Sequence, residues 1–165
     1  MTDDRGPMTG DRRGATRGEI CREAGVYCLV LRVRRASRIW LSRFGSCRIE
    51  PGWYVYTGSA KRHLLPRLTR HLRRHKRLHW HIDSLRAVAS LPEIWVWPWT
   101  SGGECRTNTA VALLPGATLP WKGFGSSDCR CHAHLVFFPS RPEPPDLGVP
   151  FRYQVRGARL TRIGW

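Results

Sequence analysis

Apolar and small or polar side chains alternate through WYVYTGSA (residues 53–60). A period of two predicts a β-strand with Trp53, Val55 and Thr57 on one face and Tyr54, Tyr56 and Gly58 on the other. Upstream, GVYCLVLRV (25–33) and RIWLSRF (38–44) flank a short polar turn and are expected to pair as a hairpin. The period changes in LLPRLTRHLRRHKRL (64–78), where Leu65, Leu68 and Leu72 recur at three and four. This predicts a helix with Pro66 in its first turn and with Arg67, His71 and Arg74 on a stripe adjoining the buried one. HWHIDSLRAVASL (79–91) predicts a second helix stopped before Pro92, and EIWVWPW (93–99) a strand with Trp95, Trp97 and Trp99 on one face. ECRTNTAVALL (104–114) restarts a helix that ends at Pro115-Gly116, and GFGSSDCRCHAHLVFF (123–138) runs as a turn-rich loop into a last strand. Strands, helices, strand, helix and strand in that order suit a small α/β or α+β sandwich.

Composition divides the chain around this core. Residues 1–22 are rich in Gly, Arg and Asp without periodicity and read as a disordered basic arm. Residues 139–150 are proline-rich, so 139–165 is expected to leave the 24–138 domain as an extended basic tail. No apolar run has the length of a membrane span, and the first residues lack the apolar stretch of a secretory signal. The 6 cysteines are therefore expected in a reducing, cytoplasmic setting, free or metal-bound rather than paired.

The formal charge of +16 over 165 residues implies a polyanionic partner, with nucleic acid favoured over a membrane surface. Lys61 to Arg77 holds eight Lys or Arg, three His and no acid. Like charges at that density repel, so Lys61, Arg62, Arg70, Arg73, Arg74, Lys76 and Arg77 are candidates for phosphate contacts. Carboxylates are scarce: between Glu50 and Glu143 only Asp83, Glu93, Glu104 and Asp128 occur.

Gly25-Val26-Tyr27 opens one strand, Tyr56-Thr57-Gly58 closes another, and a basic helix with Arg67 follows. In this the chain resembles the GIY-YIG nuclease superfamily, with Val26 and Thr57 each in place of an isoleucine. More narrowly, YVYTGSA, RHLRRHKRLHWHID, the EC pair at 104–105 and FGSSDCRCHAHL are similar to the branch catalogued as domain of unknown function 123. The resemblance implies a small, mostly antiparallel sheet flanked by helices, with an extra N-terminal hairpin. It implies a Mg²⁺- or Mn²⁺-dependent endonuclease acting on DNA, with Tyr27, Tyr56, Arg67 and His71 as catalytic residues and Glu104 as the metal ligand. The late polar residue of the superfamily, usually Asn, has no assigned position here: Asn108 follows Glu104 too soon, and Ser126, Ser127 and Asp128 are the candidates to substitute for it. These groups are expected to converge on one concave basic surface, with Tyr54 packing and Tyr56 facing the site.

A tyrosine hydroxyl titrates near pH 10, so a base role needs Arg67, His71 and their neighbours to favour the phenolate. In HWHID, His79 and His81 do not share a helical face; Trp80 and Ile82 are expected to pack, and one histidine to line the groove. Asp83 is either a helix N-terminal charge or a site residue. CRCHAH departs from the usual CxxC spacing, so a buried turn of thiols is expected ahead of Zn²⁺ bound by Cys105, Cys129, Cys131 and His134. Two further function classes remain, a nuclease-fold DNA-binding module without turnover and a zinc-supported RNA-binding protein.

Overall fold

A computed structural model of the chain describes residues 24–41, 44–74, 76–100 and 103–163. The expected basic arm at 1–22 lies outside the described residues. Six antiparallel strands form one sheet in the order β6-β4-β1-β5-β7-β8. In chain order they are β1 (Gly25–Val33), β4 (Gly52–Ala60), β5 (Ser90–Pro98), β6 (Leu135–Phe138), β7 (Phe151–Arg156) and β8 (Arg159–Arg162). Between β1 and β4, β2 (Ser37–Leu41) and β3 (Gly45–Ile49) pair only with each other. The expected pairing of 25–33 with 38–44 is thus replaced by a self-contained hairpin, which leaves both edges of β1 free for β4 and β5. β1 is apolar on both faces, as a central strand must be.

Helices cover the two faces. The side chains of Tyr27, Leu29 and Tyr54 on one face pack with Leu64, Leu68 and Leu72 of α1 (Leu64–Leu72) and with Ile82 and Leu85 of α2 (His81–Val88). On the other face Cys28, Val30, Val55, Trp95 and Trp97 pack with Val111 of α3 (Gly103–Ala112). The alternation read in 53–58 is therefore the division between two cores. Trp95 and Trp97 share a face as expected, whereas Trp99 lies past the end of β5, with Lys61 over its ring at 5.9 Å.

α1 ends at Leu72 instead of continuing to 78 because side chains take over the helix-terminal carbonyls. The Arg86 guanidinium donates to the carbonyls of His71, Leu72 and Ala89 at 3.1, 3.2 and 2.7 Å, and Lys76 donates to that of Arg70 at 3.0 Å. Those groups would otherwise be orphaned at a helix C-terminus. The buried stripe runs through Leu64, Leu68, His71 and Leu72, so His71 belongs to the core and not to an adjoining wet stripe. β5 starts at Ser90 and contains Pro92, the missing N–H being accommodated where its pairing with β1 shifts register between Val30 and Arg32.

The segment after 138 does not leave the domain. Arg141 and Arg152 both pair with Glu93, which is 2% exposed on β5, and β7 pairs beside it with β5. A two-residue turn with Gly157 at φ 61° returns the chain as β8. The tail reading followed the prolines of 139–150; a buried acid on β5 and an unpaired strand edge draw the rest of the segment back.

Replacing Arg86 by Leu leaves three buried carbonyls without their donor. Urea unfolding is expected to show a loss of about 3 kcal/mol, and a loss below about 0.5 kcal/mol would refute this capping role.

Candidate active site

The site forms where the sheet is incomplete. β6 covers β4 only from Trp53 to Tyr56, and the backbone N–H of Thr57 donates to the His134 carbonyl at 2.9 Å. Among the described residues no strand pairs with that edge of β4 beyond Thr57, so side chains from both faces reach one opening. A cleft of about 900 Å³ occupies it. Tyr27, Tyr56, Ser59, Arg67, Glu104 and Asp128 are among its lining residues. The convergence expected of Tyr27, Tyr56, Arg67 and Glu104 is present, and the hairpin between β1 and β4 does not separate the tyrosines because those strands are neighbours, with Leu29 opposite Tyr56 and Gly58 opposite Tyr27.

Gly58 and Ser59 lie within β4. A Cβ on Gly58 would lie 2.6 Å from the Tyr27 hydroxyl and 2.7 Å from its Cζ, so the glycine makes room for the Tyr27 ring. The Tyr27 hydroxyl meets His71 Nε2 at 3.0 Å. Tyr54 is a packing residue, its hydroxyl donating to the Glu50 carbonyl at 3.0 Å, while Tyr56 is half-buried at the cleft wall.

Burial decides the protonation of this group. Desolvation pushes the hydroxyls of Tyr27 and Tyr56 well above the usual tyrosine range, outweighing the nearby Arg67 guanidinium. Desolvation, followed by the Lys76 charge, lowers His71 to about 3. The condition for a tyrosine base, that Arg67, His71 and their neighbours favour the phenolate, is therefore not met. His71 is a neutral ring beneath Tyr27, it does not line the cleft, and its Nδ1 is buried without a hydrogen bond.

Glu104 opens α3 and joins three elements. Ser59 of β4 donates its hydroxyl to one carboxylate oxygen, and His134, just before β6, meets the other through Nδ1 at 2.8 Å. Burial raises the Glu104 carboxyl, but the His134 and Ser59 hydrogen bonds outweigh it and hold the group below the ordinary glutamate range. With 28% of its side chain exposed to the cleft, an ionised carboxylate with lone pairs to spare is suited to a hard divalent cation. Arg67 donates to the Ser59 carbonyl at 2.8 Å on the open edge of β4 and lies 5.2 Å from the Trp80 ring centre.

The basic candidates separate into two groups. Lys61, Arg62, Arg73, Arg74 and Arg77 are exposed. Arg70 instead grips Asp83 at 3.0 and 2.9 Å, and Lys76, whose side chain is 7% exposed, pairs with the same carboxylate at 2.7 Å. Burial raises the Asp83 carboxyl, yet these two cations and the backbone N–H groups of His79 and Trp80 hold it well below the carboxylate range. Asp83 is thus a structural anchor, and Arg70 and Lys76 are tied to it, with one positive charge left over. A second hollow of about 720 Å³, bounded by Arg73 and Arg77, shares His79 with the cleft. Both His79 and His81 line the cleft, where one was expected, and Ile82 packs while Trp80 is half-buried.

Of the candidates for the late polar residue, Ser127 and Asp128 line the cleft, while Ser126 is buried with its hydroxyl unpartnered. Asn108 has a different task, donating to the Ala133 carbonyl at 2.7 Å and tying α3 to the loop that carries His134. Next to Glu104, one ligand atom from each of Cys105, Cys129, Cys131 and His134 comes within 4.8 Å of the others, an arrangement that could hold a metal ion. These cysteines are half-exposed rather than core thiols. Desolvation and the neighbouring sulfurs push the Cys131 thiol up to about 12 without a cation. Reading by residue type found this cluster and Glu104 separately; the His134 link between them, and the roles of Ser59 and Trp80, had no local signal.

The model of one protein family, described as domain of unknown function DUF123, matches residues 26–148. No curated protein and no solved structure matches the chain. Among the described residues no helix is long and apolar enough to cross a membrane.

The neutral His71 has a pH signature. Its folded value near 3 lies below the ordinary 6.5, so between those values the unfolded chain binds a proton that the folded chain does not. Stability is then full above about pH 6.5 and falls with acid by at most about 1.4 kcal/mol per pH unit, before the lowered carboxylates of Asp83, Glu93 and Glu104 contribute. Urea unfolding at pH 7 and pH 5 should show a steeper loss for the wild type than for His71→Gln; equal losses would mean that His71 is not held neutral.

Proposed function

The chain belongs to the DUF123 family, and from that premise we propose that it is a metal-dependent endonuclease of the GIY-YIG type that hydrolyses phosphodiester bonds in DNA. The observation that carries the reading is the meeting of Tyr27, Tyr56, Arg67 and Glu104 in one cleft, from two strands and two helices. The walls support a polyanion. Lys61, Arg62 and Arg67 line the cleft, and the neighbouring hollow adds Arg73 and Arg77, so a backbone has a continuous basic path. Trp40, 71% exposed at the tip of the β2–β3 hairpin side of the cleft, offers a flat ring on which a base can stack.

Glu104 is the residue that would hold Mg²⁺ or Mn²⁺, with Asp128 as the other carboxylate of the cleft and water completing the shell. Bound there, the ion supplies Lewis-acid stabilisation of the charge that develops on the phosphoryl and leaving oxygens. The protein's own groups do the positioning. Arg67, fixed by the Ser59 carbonyl and by Trp80, places a guanidinium against the phosphoryl oxygens. Tyr27 and Tyr56 keep their protons at neutral pH, so they orient water and phosphate by hydrogen bonding and do not act as phenolate bases. His71 holds the Tyr27 hydroxyl in place from below.

That same burial of both hydroxyls favours a second reading, a binding module of the same shape that does not turn over. Incubation of the full chain with Mg²⁺ or Mn²⁺ on duplex, nicked and branched DNA separates the two. The nuclease reading expects cleavage that Glu104→Gln abolishes with DNA affinity kept within a few-fold, and that Arg67→Ala slows by about 100-fold or more. Arg73→Ala should only weaken salt-sensitive binding. Cleavage that survives Glu104→Gln would sink the assignment, and equal, purely salt-dependent losses in Arg67→Ala and Arg73→Ala would establish the binding module.

A further inference from the structure

Cys105 projects from the first turn of α3, and Cys129, Cys131 and His134 come from the end of the long 113–134 connection. The Cys129 sulfur lies 3.4 Å from His134 Nε2 and the Cys105 sulfur 4.0 Å from it, with all four ligand atoms within 4.8 Å of one another. A tetrahedral zinc with Zn–S near 2.3 Å and Zn–N near 2.0–2.1 Å has edges of about 3.6 Å between N and S and about 3.8 Å between sulfurs. The two sulfur–nitrogen spacings bracket the N–S edge, and every other pair of ligand atoms lies within 4.8 Å. Sulfur and imidazole are the donors that borderline-soft Zn²⁺ selects, whereas Mg²⁺ takes oxygen, so this cluster and the Glu104 cleft would sort two different metals. The 113–134 connection is also the kind of segment that a structural metal secures, since it has no regular element of its own, apart from a single bridge of Thr118 to Phe137, yet lines the cleft with Gly125, Ser127 and Asp128.

We infer that Cys105, Cys129, Cys131 and His134 bind one structural Zn²⁺, and that His134, as its ligand, orients the Glu104 carboxylate. Zinc on Nε2 leaves the proton on Nδ1, which donates to Glu104 across 2.8 Å. A carboxylate behind a zinc-bound histidine is a recurrent arrangement, and here the carboxylate also faces the cleft. His134 is 1% exposed, so its ring has no route to solvent and its two nitrogens serve these two partners. His134 is accordingly a positioning residue. This second half of the inference rests on the reading of Glu104 as the divalent-metal ligand; the zinc site does not.

The test uses the full chain purified without a polyhistidine tag. Atomic spectrometry should find about one zinc per chain, lost in Cys105→Ser/Cys129→Ser, and replacement by Co²⁺ should give the thiolate charge-transfer and d–d bands of a tetrahedral site in the otherwise wild-type protein. A chain without zinc whose thiols titrate freely, or are joined as disulfides, overturns the site and leaves the nuclease reading standing. Binding of Mn²⁺, followed by the paramagnetic resonance of the free ion, tests the link to Glu104, because thiolates select against Mn²⁺. His134→Ala should lose zinc and weaken Mn²⁺ binding about 10-fold or more. His134→Asn, which sets an amide donor where Nδ1 stood, should lose zinc and recover part of the Mn²⁺ affinity. Equal Mn²⁺ affinity in wild type and His134→Ala overturns the positioning role. Zinc in place with no cleavage of any DNA overturns the nuclease reading alone.

Discussion

The carboxylate of Glu104 is where the architecture of this chain closes. It lies on α3, which packs on the tryptophan face of the sheet, yet it receives the Ser59 hydroxyl from β4 and the His134 ring from the approach to β6. Those three segments are remote in sequence, and the edge of β4 between them is left unpaired beyond Thr57. A strand in that place would complete the sheet and bury Ser59. Its absence lets the two faces communicate, and the hydrogen bonds to Glu104 replace the cross-strand bonds that hold the rest of the edge. The opening and its anionic centre are therefore one feature, and any loss of the His134 or Ser59 contact loosens both.

Beneath that opening, burial and charge compete for the aromatic groups. Arg67 alone would favour phenolate, but Tyr27 stands against His71 and Tyr56 against His71 and Phe124, where desolvation outweighs it. The same desolvation keeps His71 neutral, and the charges of Lys76, Arg70 and Arg67 act in the same direction. What the protein gains is geometry. A neutral His71 beneath a protonated Tyr27 sets the direction of one hydroxyl, and Gly58 leaves the room in which that ring can sit. None of the rings of Tyr27, Tyr56 and His71 supplies a charged base at neutral pH, whereas orientation is built into the fold.

Sequence patterning foretold most of the layers. The alternation in 53–58 set Val55 and the two tyrosines on opposite faces, because burial on two faces of a strand leaves a period of two whatever the partner; that Val55 meets the tryptophans and Tyr54 and Tyr56 meet α1 and α2 is visible only in the fold. The meeting of Tyr27, Tyr56, Arg67 and Glu104 was expected too, on the strength of ordered motifs. What stayed hidden was settled by side chains acting on distant backbone. The end of α1 depends on Arg86, fourteen residues past Leu72, and no helix propensity between 64 and 78 encodes that. A buried stripe of Leu65, Leu68 and Leu72 sets His71 beside the core; its burial follows from Leu64 rather than Leu65 facing inward. The β7–β8 hairpin did leave a signal, alternation through FRYQVR and a glycine turn, but the prolines before it pointed away from the domain.

The basic run shows why a count of charges misleads about an interface. Asp83 is the one carboxylate between Glu50 and Glu93. It consumes Arg70 and Lys76 and also fixes the backbone of His79 and Trp80. With two positive partners on one buried carboxylate, the cluster keeps a net positive charge while its members are immobilised. Trp80, held at the start of α2, then stacks on Arg70 at 4.2 Å and on Arg67 at 5.2 Å. The internal cations thus serve as a platform that aims Arg67 at the cleft, and Arg62, Arg73, Arg74 and Arg77 remain exposed. Repulsion among like charges, which first suggested a polyanion, is relieved at the centre of the run by Asp83 and persists at its two ends. Those ends flank the cleft and its neighbouring hollow, so the positive field spreads across the opening and is not confined to a basic helix face.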